Sequence, residues 1–406
     1  MSLLKDLRSV LNVTVLVAGL GYFVDLFDIT LFGVLRVASL RDLGLTDPGE
    51  ILRSGLLIYN AQMAGLMIGG LAWGVLADRR GRLSVLFGSI FLYSLANIAN
   101  AFVTDVPQYA LCRFLGGLGL AGELGAAVTL VAESLPRDKR GLGTTLVAFL
   151  GMMGILAAAV IGQWLPWKAC YILGGVMGLS LLALRFQVAE SALFQKHSPA
   201  ARANPWLLLR RGRFGRYLRC ILIGMPIYFT TGVLFIFAPE LTAGLNVRGE
   251  VSAGNALLFG SAGLTLGDLL AGLVSQRLRS RKKAVAIFLL TGFFLTAVYA
   301  LWPGMTSAMV YGLSFLIGVC VGYWAVLVTM AAEQFGTNVR GTVATTVPNF
   351  VRGTGVIAAS LFAFLKESMT AATAALSVAG LCFGLALWAL WRMDETFHRD
   401  LDFEEN

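Results

Sequence analysis

The chain has 406 residues, of which 57% are hydrophobic and only 14% charged, and it carries a formal net charge of +9. A soluble domain carries about 25% charged residues, so the surplus apolar surface must face lipid rather than water. The positive charge is spread over many short loops instead of one exposed face, which argues against a nucleic-acid partner.

Counting about 20 apolar residues per crossing, the chain divides into spans at roughly 11–36, 54–77, 84–102, 107–131, 142–164 and 169–187, then 218–243, 251–275, 284–302, 306–331, 341–365 and 371–393. Lys5 and Arg8 precede the first run, which continues past Asp25 without a cleavage-like site, so no removable signal peptide is expected. The stretch 188–217 is polar and basic, contains Pro199 and Pro205, and reads as a linker. The expected organisation is a bundle over 1–187, a cytoplasmic linker over 188–217, a second bundle over 218–393 and a cytoplasmic tail over 394–406. The fold class is therefore an all-α membrane protein with twelve transmembrane helices in two pseudo-symmetric six-helix bundles.

Charge sets the expected orientation. With both termini cytoplasmic, 24 of the 32 Lys and Arg fall on cytoplasmic segments, as the positive-inside rule requires. The 47 glycines suit close helix packing in a membrane. The five cysteines (Cys112, Cys170, Cys220, Cys320 and Cys382) are scattered through mostly apolar segments; they have neither disulfide nor metal spacing. Only His197 and His398 occur as histidines, and both lie outside the spans. No metal or cofactor is expected, and any proton coupling must rest on carboxylates.

The two halves echo each other. Ala132-Glu133 followed by Arg140-Gly141 recurs 200 residues on as Ala332-Glu333 followed by Arg340-Gly341. The run Gly74 to Arg82 has a weaker copy from Gly272 to Ser280. Repeated halves in a membrane protein usually carry substrate between them near the bilayer midplane.

An ionisable residue at mid-span costs about 2.5–3.5 kcal/mol if it faces lipid, so Asp25, Asp28, Arg113, Glu123, Asp268 and Arg352 are expected to face a cavity or one another. Asp25 and Asp28, three apart, share a helix face. Two close carboxylates do not both ionise easily, so one is expected to carry a proton near neutral pH; the alternative is a structural bridge to Arg113 or Arg352. Arg113 and Glu123, ten apart, are separated by about 15 Å along a helix and do not pair. Glu123 lies among Gly117, Ala121 and Gly125 and serves either coupling or helix packing. Arg352, near Asn349, can grip a carboxylate with two parallel N–H donors or act as counter-ion to Asp268 or the first-span aspartates. Asp268 itself can instead sit near the cytoplasmic mouth. Tyr22, Tyr59, Asn60, Gln62, Tyr228, Tyr323 and Trp324 are candidates to line the cavity, against a common role of membrane aromatics in packing.

Gly74-Val-Leu-Ala-Asp78-Arg79-Arg80-Gly81-Arg82 matches in full the G-x-L-A-D-R-x-G-R loop motif, and the chain resembles the major facilitator superfamily over essentially its whole length. Three patches resemble the metabolite:proton symporters within it: Gly21 to Gly33, Arg113 to Gly125, and Ala332 to Arg340. The chain departs from that group in span 2, where Leu66-Met67 stand in place of an Arg-Pro pair, in Gln276 of the second loop motif, and in Glu190-Ser191-Ala192, which lacks the usual proline. Arg352 could supply the anion site missing from span 2. The resemblance implies alternating access, with Gly74, Asp78, Arg79, Arg82, Glu133, Arg140, Glu333 and Arg340 forming a cytoplasmic gate whose ion pairs break as the halves rock.

The function expected is proton-coupled symport of a small organic acid or zwitterion by a functional monomer in a bacterial inner membrane, the partners being that substrate, protons and lipid. A proton-coupled exporter is the alternative within transport, although Gly151 to Gly162 lacks the Gly-Pro signature of many antiporters; a non-transporting receptor is the alternative outside it. An enzyme is disfavoured, because the spans hold no histidine and no recognisable nucleophile–base pair.

Overall fold

Long apolar runs without water to solvate their peptide groups must close their hydrogen bonds internally, and they do so as helices. The computed structural model describes residues 13–80, 82–122, 140–192 and 213–397. Its helices are α1 (Val13–Asp42), α2 (Pro48–Arg80), α3 (Arg82–Asn100), α4 (Val106–Leu120), α5 (Arg140–Trp164) and α6 (Trp167–Ala192). The second half contributes α7 (Arg213–Phe229), α8 (Ala238–Thr242), α9 (Ala253–Leu278), α10 (Arg281–Leu301), α11 (Ser307–Val321), α12 (Trp324–Glu333), α13 (Thr337–Lys366) and α14 (Ala371–Trp391). Among the described residues, nine stretches are long and apolar enough to cross a membrane. The same residues contain no named strand, only an isolated bridge between Arg248 and Thr306.

Capping side chains define where several helices begin. Asp105 accepts the Gln108 amide at the head of α4, Ser252 that of Asn255 on α9, Ser280 that of Lys283 on α10 and Thr370 that of Thr373 on α14. Each satisfies an amide that the first helical turn leaves open. Two helices depart from regularity. Pro226 removes a backbone donor inside α7, and a π-helical turn follows at Thr230–Phe235. The run read as one span at 306–331 is one candidate crossing, Ser307–Glu333, whose helix is interrupted at Gly322 and Tyr323.

The described residues divide into two compact units, one drawn from 1–44 and 64–202, the other from 45–63 and 203–406. In the first, α1 packs on α5 and α6, and α3 on α4 and α6; in the second, α9 packs on α11, α7 on α13 and α14, and α10 on α14. Matching glycine pairs allow close approaches in both units. A methyl added at Gly65 or Gly69 would lie within 2.3 Å of the Phe114 or Leu118 carbonyl oxygen, and one at Gly263 or Gly267 within 2.1 Å of the Phe315 or Val319 oxygen. Only hydrogen at those Cα atoms allows the backbones so close.

Polarity is arranged for lipid. Leu273, Phe294 and Phe364 are 65–70% exposed, whereas Asp25, Asp28 and Arg352 have no exposure at all.

Candidate functional site

Helix α1 carries Asp25 and Asp28 on its buried side, and α4 presents Arg113 to them with 1% exposure. Arg113 Nη2 donates to the backbone oxygen of Asp28 at 3.0 Å, and Nη1 to Asn97 Oδ1 of α3 at 2.9 Å. The guanidinium carbon lies 5.2 Å from the centre of the Tyr171 ring on α6. Asp28 also lies within electrostatic reach of Asp25 and beside the Asn97 amide. Neither carboxylate oxygen of Asp28 meets a donor in hydrogen-bond geometry among the described residues. Gly174 gives the carboxylate its space: a methyl there would lie 2.4 Å from Oδ1. The arrangement is a buried acid with a cation held beside it.

Residues of the second unit form another buried group. Arg352 Nε of α13 donates to the Tyr228 hydroxyl of α7 at 3.2 Å, and the Tyr228 ring meets the Trp324 ring edge-on at 6.1 Å. Asn349 lies one turn before Arg352 and is 2% exposed. The Tyr59 hydroxyl projects toward Gly232 and Gly355, where added methyls would lie 2.0 and 2.5 Å from it, and Asn60 Nδ2 donates to Ser360 Oγ at 2.9 Å. A cation flanked by aromatic rings and an amide can receive a carboxylate and a flat apolar body together.

Other sequence candidates fall elsewhere. Asp268 Oδ1 accepts the Ala325 amide at 2.8 Å, so it caps the broken helix at α12. Tyr323 donates its hydroxyl to the Ile223 carbonyl at 2.8 Å and is fully buried. Tyr22 packs its ring over Gly151, and Gln62 is fully buried. Glu333 is gripped by Arg281, Nε to Oε2 and Nη2 to Oε1, both at 2.6 Å. Glu123 and Glu133 lie outside the described residues, as do the side chains of Asp78, Arg79, Arg82, Arg140 and Arg340 and the surroundings of Gly74.

Sequence reasoning did not single out Asn97, Tyr171, Arg281 or Glu395. Uncharged Asn97 and Tyr171 give no signal in an apolar run, and Arg281 is one of five basic residues between Arg277 and Lys283. Glu395 accepts from Ser280 Oγ and from the backbone amide of Arg281, the latter at 3.0 Å, and so ties the segment after α14 to the start of α10.

The model of the Major Facilitator Superfamily matches residues 18–360. The chain belongs to the Major Facilitator Superfamily. As a member of that transporter family it is an integral membrane transporter and not an enzyme. It is 28% identical over 363 residues to a protein of Acinetobacter baylyi named as a niacin transporter, NiaP, covering 80% of each chain. It is 26% identical over 330 residues to a protein of Escherichia coli K12 named as a sialic acid transporter, NanX, again covering 80% of each. Its fold is like that of a D-xylose-proton symporter, with a TM-score of 0.70 at 17% identity, covering 95% of this chain and 98% of the other.

Proposed function

We propose that this facilitator is a proton-coupled symporter importing a small organic carboxylate by alternating access, with twelve spans in two six-helix bundles and both termini in the cytoplasm of a bacterium. Arg352 carries the substrate reading. It is a fully buried cation whose Nε is already held by Tyr228, and a guanidinium matches a carboxylate in geometry as well as charge. Niacin and sialic acid, named for the two relatives, are both carboxylic acids. The Tyr228 and Trp324 rings suit a flat ring system beside that carboxylate. Coupling rests on Asp28, which takes a proton on one face of the membrane and yields it on the other, with the Arg113 guanidinium beside it. Asp78, Arg79, Arg82, Glu133 and Arg140, with Glu333, Arg340 and Arg281, are assigned to the cytoplasmic gate.

The test is uptake of radiolabelled nicotinate, 4-hydroxybenzoate, sialic acid and xylose into proteoliposomes under an imposed proton gradient. The proposal expects uptake of at least one carboxylate that collapses with the gradient. Arg352→Ala is expected to lower it at least tenfold, and Asp28→Asn to abolish gradient-driven uptake while substrate exchange persists. Uptake of xylose alone, or carboxylate uptake indifferent to the gradient, would overturn the substrate or the coupling assignment respectively.

A further inference from the structure

The Arg113 guanidinium is aimed at the main chain of Asp28 although a carboxylate on the same residue lies close by. Three contacts hold it there: the Asn97 carbonyl, the Asp28 backbone oxygen and the face of the Tyr171 ring. Tyr171 is itself clamped. Its hydroxyl shares a 2.8 Å hydrogen bond with the Tyr109 hydroxyl, which in turn meets Ser39 Oγ at 3.1 Å. Its ring stands edge-on to Tyr109 at 5.9 Å and to Trp167 at 6.2 Å. Trp167 is anchored by its indole N–H on Asp42 Oδ2 at 2.9 Å. Ser39, Tyr109 and Tyr171 are all fully buried. None of them touches the Asp28 carboxylate in hydrogen-bond geometry.

We infer that Tyr171 is a positioning residue for Arg113, whose ring face holds the guanidinium on the Asp28 backbone and off the Asp28 carboxylate. Tyr109, Ser39 and Trp167 keep that ring in place. A guanidinium released from the ring would be free to turn its donor fork onto the carboxylate, the geometry that binds carboxylates most strongly. The charged and titratable groups facing Asp28 are Asp25 on its own helix, Arg113 on α4 and Tyr171 on α6, with neutral Asn97 on α3. Of these, Arg113 alone carries a fixed positive charge, so its orientation governs the field at the proton site. The inference rests on the proposed role of Asp28, and the experiment separates the two.

The experiment is difference infrared spectroscopy of the purified protein in lipid across a pH series. It compares the native protein with Tyr171→Leu and Tyr171→Phe, and assigns the Arg113 guanidinium and Asp28 carboxylic acid bands with Arg113→Lys and Asp28→Asn. Tyr171→Leu is expected to shift the guanidinium band and to move the midpoint of the carboxyl band by about one pH unit, the size of a desolvated cation–ring contact. Tyr171→Phe, which keeps the ring, is expected to leave both in place. An unshifted guanidinium band in Tyr171→Leu, or equal shifts in both variants, overturns the inference. A carboxyl band that never titrates sinks the proton role of Asp28 alone, because the guanidinium band still decides where Arg113 points. Thermal midpoints of both variants show whether the fold is kept.

Discussion

Arg281 and Glu333 face each other through two parallel hydrogen bonds of 2.6 Å, with side chains only 15% and 11% exposed. Arg281 starts α10 and Glu333 ends α12, so the pair ties two helix ends of the second unit together. The guanidinium also covers the Phe397 ring at 5.7 Å. Removing one partner strands a largely buried charge, and that loss exceeds what the intact pair contributes. Glu333→Gln or Arg281→Ala is therefore expected to cost about 2–4 kcal/mol, measured as a fall in thermal midpoint in detergent. The double substitution Arg281→Met with Glu333→Leu should recover much of that loss. If it proves worse than either single change, the pair contributes more than its desolvation cost.

Glu395 makes the same end of the unit sensitive to acid. Partial burial by itself would raise its carboxyl. The hydrogen bonds from Ser280 and from the amides of Arg281, Phe397 and Thr396 outweigh burial and hold it below the ordinary value of 4.5. A carboxyl depressed by folding adds stability that is complete above its unfolded value and disappears as pH falls through the folded one. The native protein should therefore lose stability below pH 4.5 more steeply than Glu395→Gln. Thermal midpoints taken across acid pH would refute this if the two curves ran parallel.

Asp268 separates capping from proton transfer. Its Oδ1 accepts the Ala325 amide in the first turn of α12, which follows the break at Gly322. Asparagine keeps that acceptor but cannot carry a proton. Asp268→Asn should thus retain gradient-driven uptake, whereas Asp268→Leu should lose about 1 kcal/mol of stability for the missing cap. Uptake abolished in Asp268→Asn would instead assign the residue to coupling.

Gly263 and Gly272 lie on the same helix in different surroundings. A methyl at Gly263 would press to 2.0 Å on the Phe315 carbonyl oxygen, while one at Gly272 would meet nothing within 4 Å. Gly263→Ala must push α9 and α11 apart, at about 1–3 kcal/mol as for other overpacked contacts. Gly272→Ala should be neutral or stabilising by up to about 1 kcal/mol, because alanine favours the helix. Comparable thermal midpoints for the two variants would mean the close approach is not maintained in the detergent-solubilised protein.

The helices were legible because their apolar runs are long: the runs predicted at 284–302 and 371–393 lie on α10 at Arg281–Leu301 and α14 at Ala371–Trp391. The break at Gly322 was not. The carboxylate that caps the helix after it belongs to Asp268, 57 residues before the Ala325 amide it accepts, and hydropathy is blind to such a distant cap. Asp28, Arg113 and Arg352 stood out because a charge in an apolar run is conspicuous. The sequence offers Tyr228 only as a candidate cavity-lining residue and does not single out Tyr171 or Asn97, since all three look like ordinary membrane residues until the fold brings them beside a guanidinium. The link between Glu333 and Arg281 was hidden in a different way: a run of basic residues offers several equivalent partners, and only the geometry of the helix ends selects one.

The glycine contacts say what kind of likeness joins the two units. Gly65 and Gly69 in one stand where Gly263 and Gly267 stand in the other, each opposite a carbonyl of the facing helix. The residues that follow them along the chain are less alike, Asp78 of the first half corresponding in sequence to Gln276 of the second. What the halves hold in common is a pair of vacant places at fixed spacing. A repeat of this kind is written in missing atoms, and each half can acquire its own chemistry so long as those places stay empty.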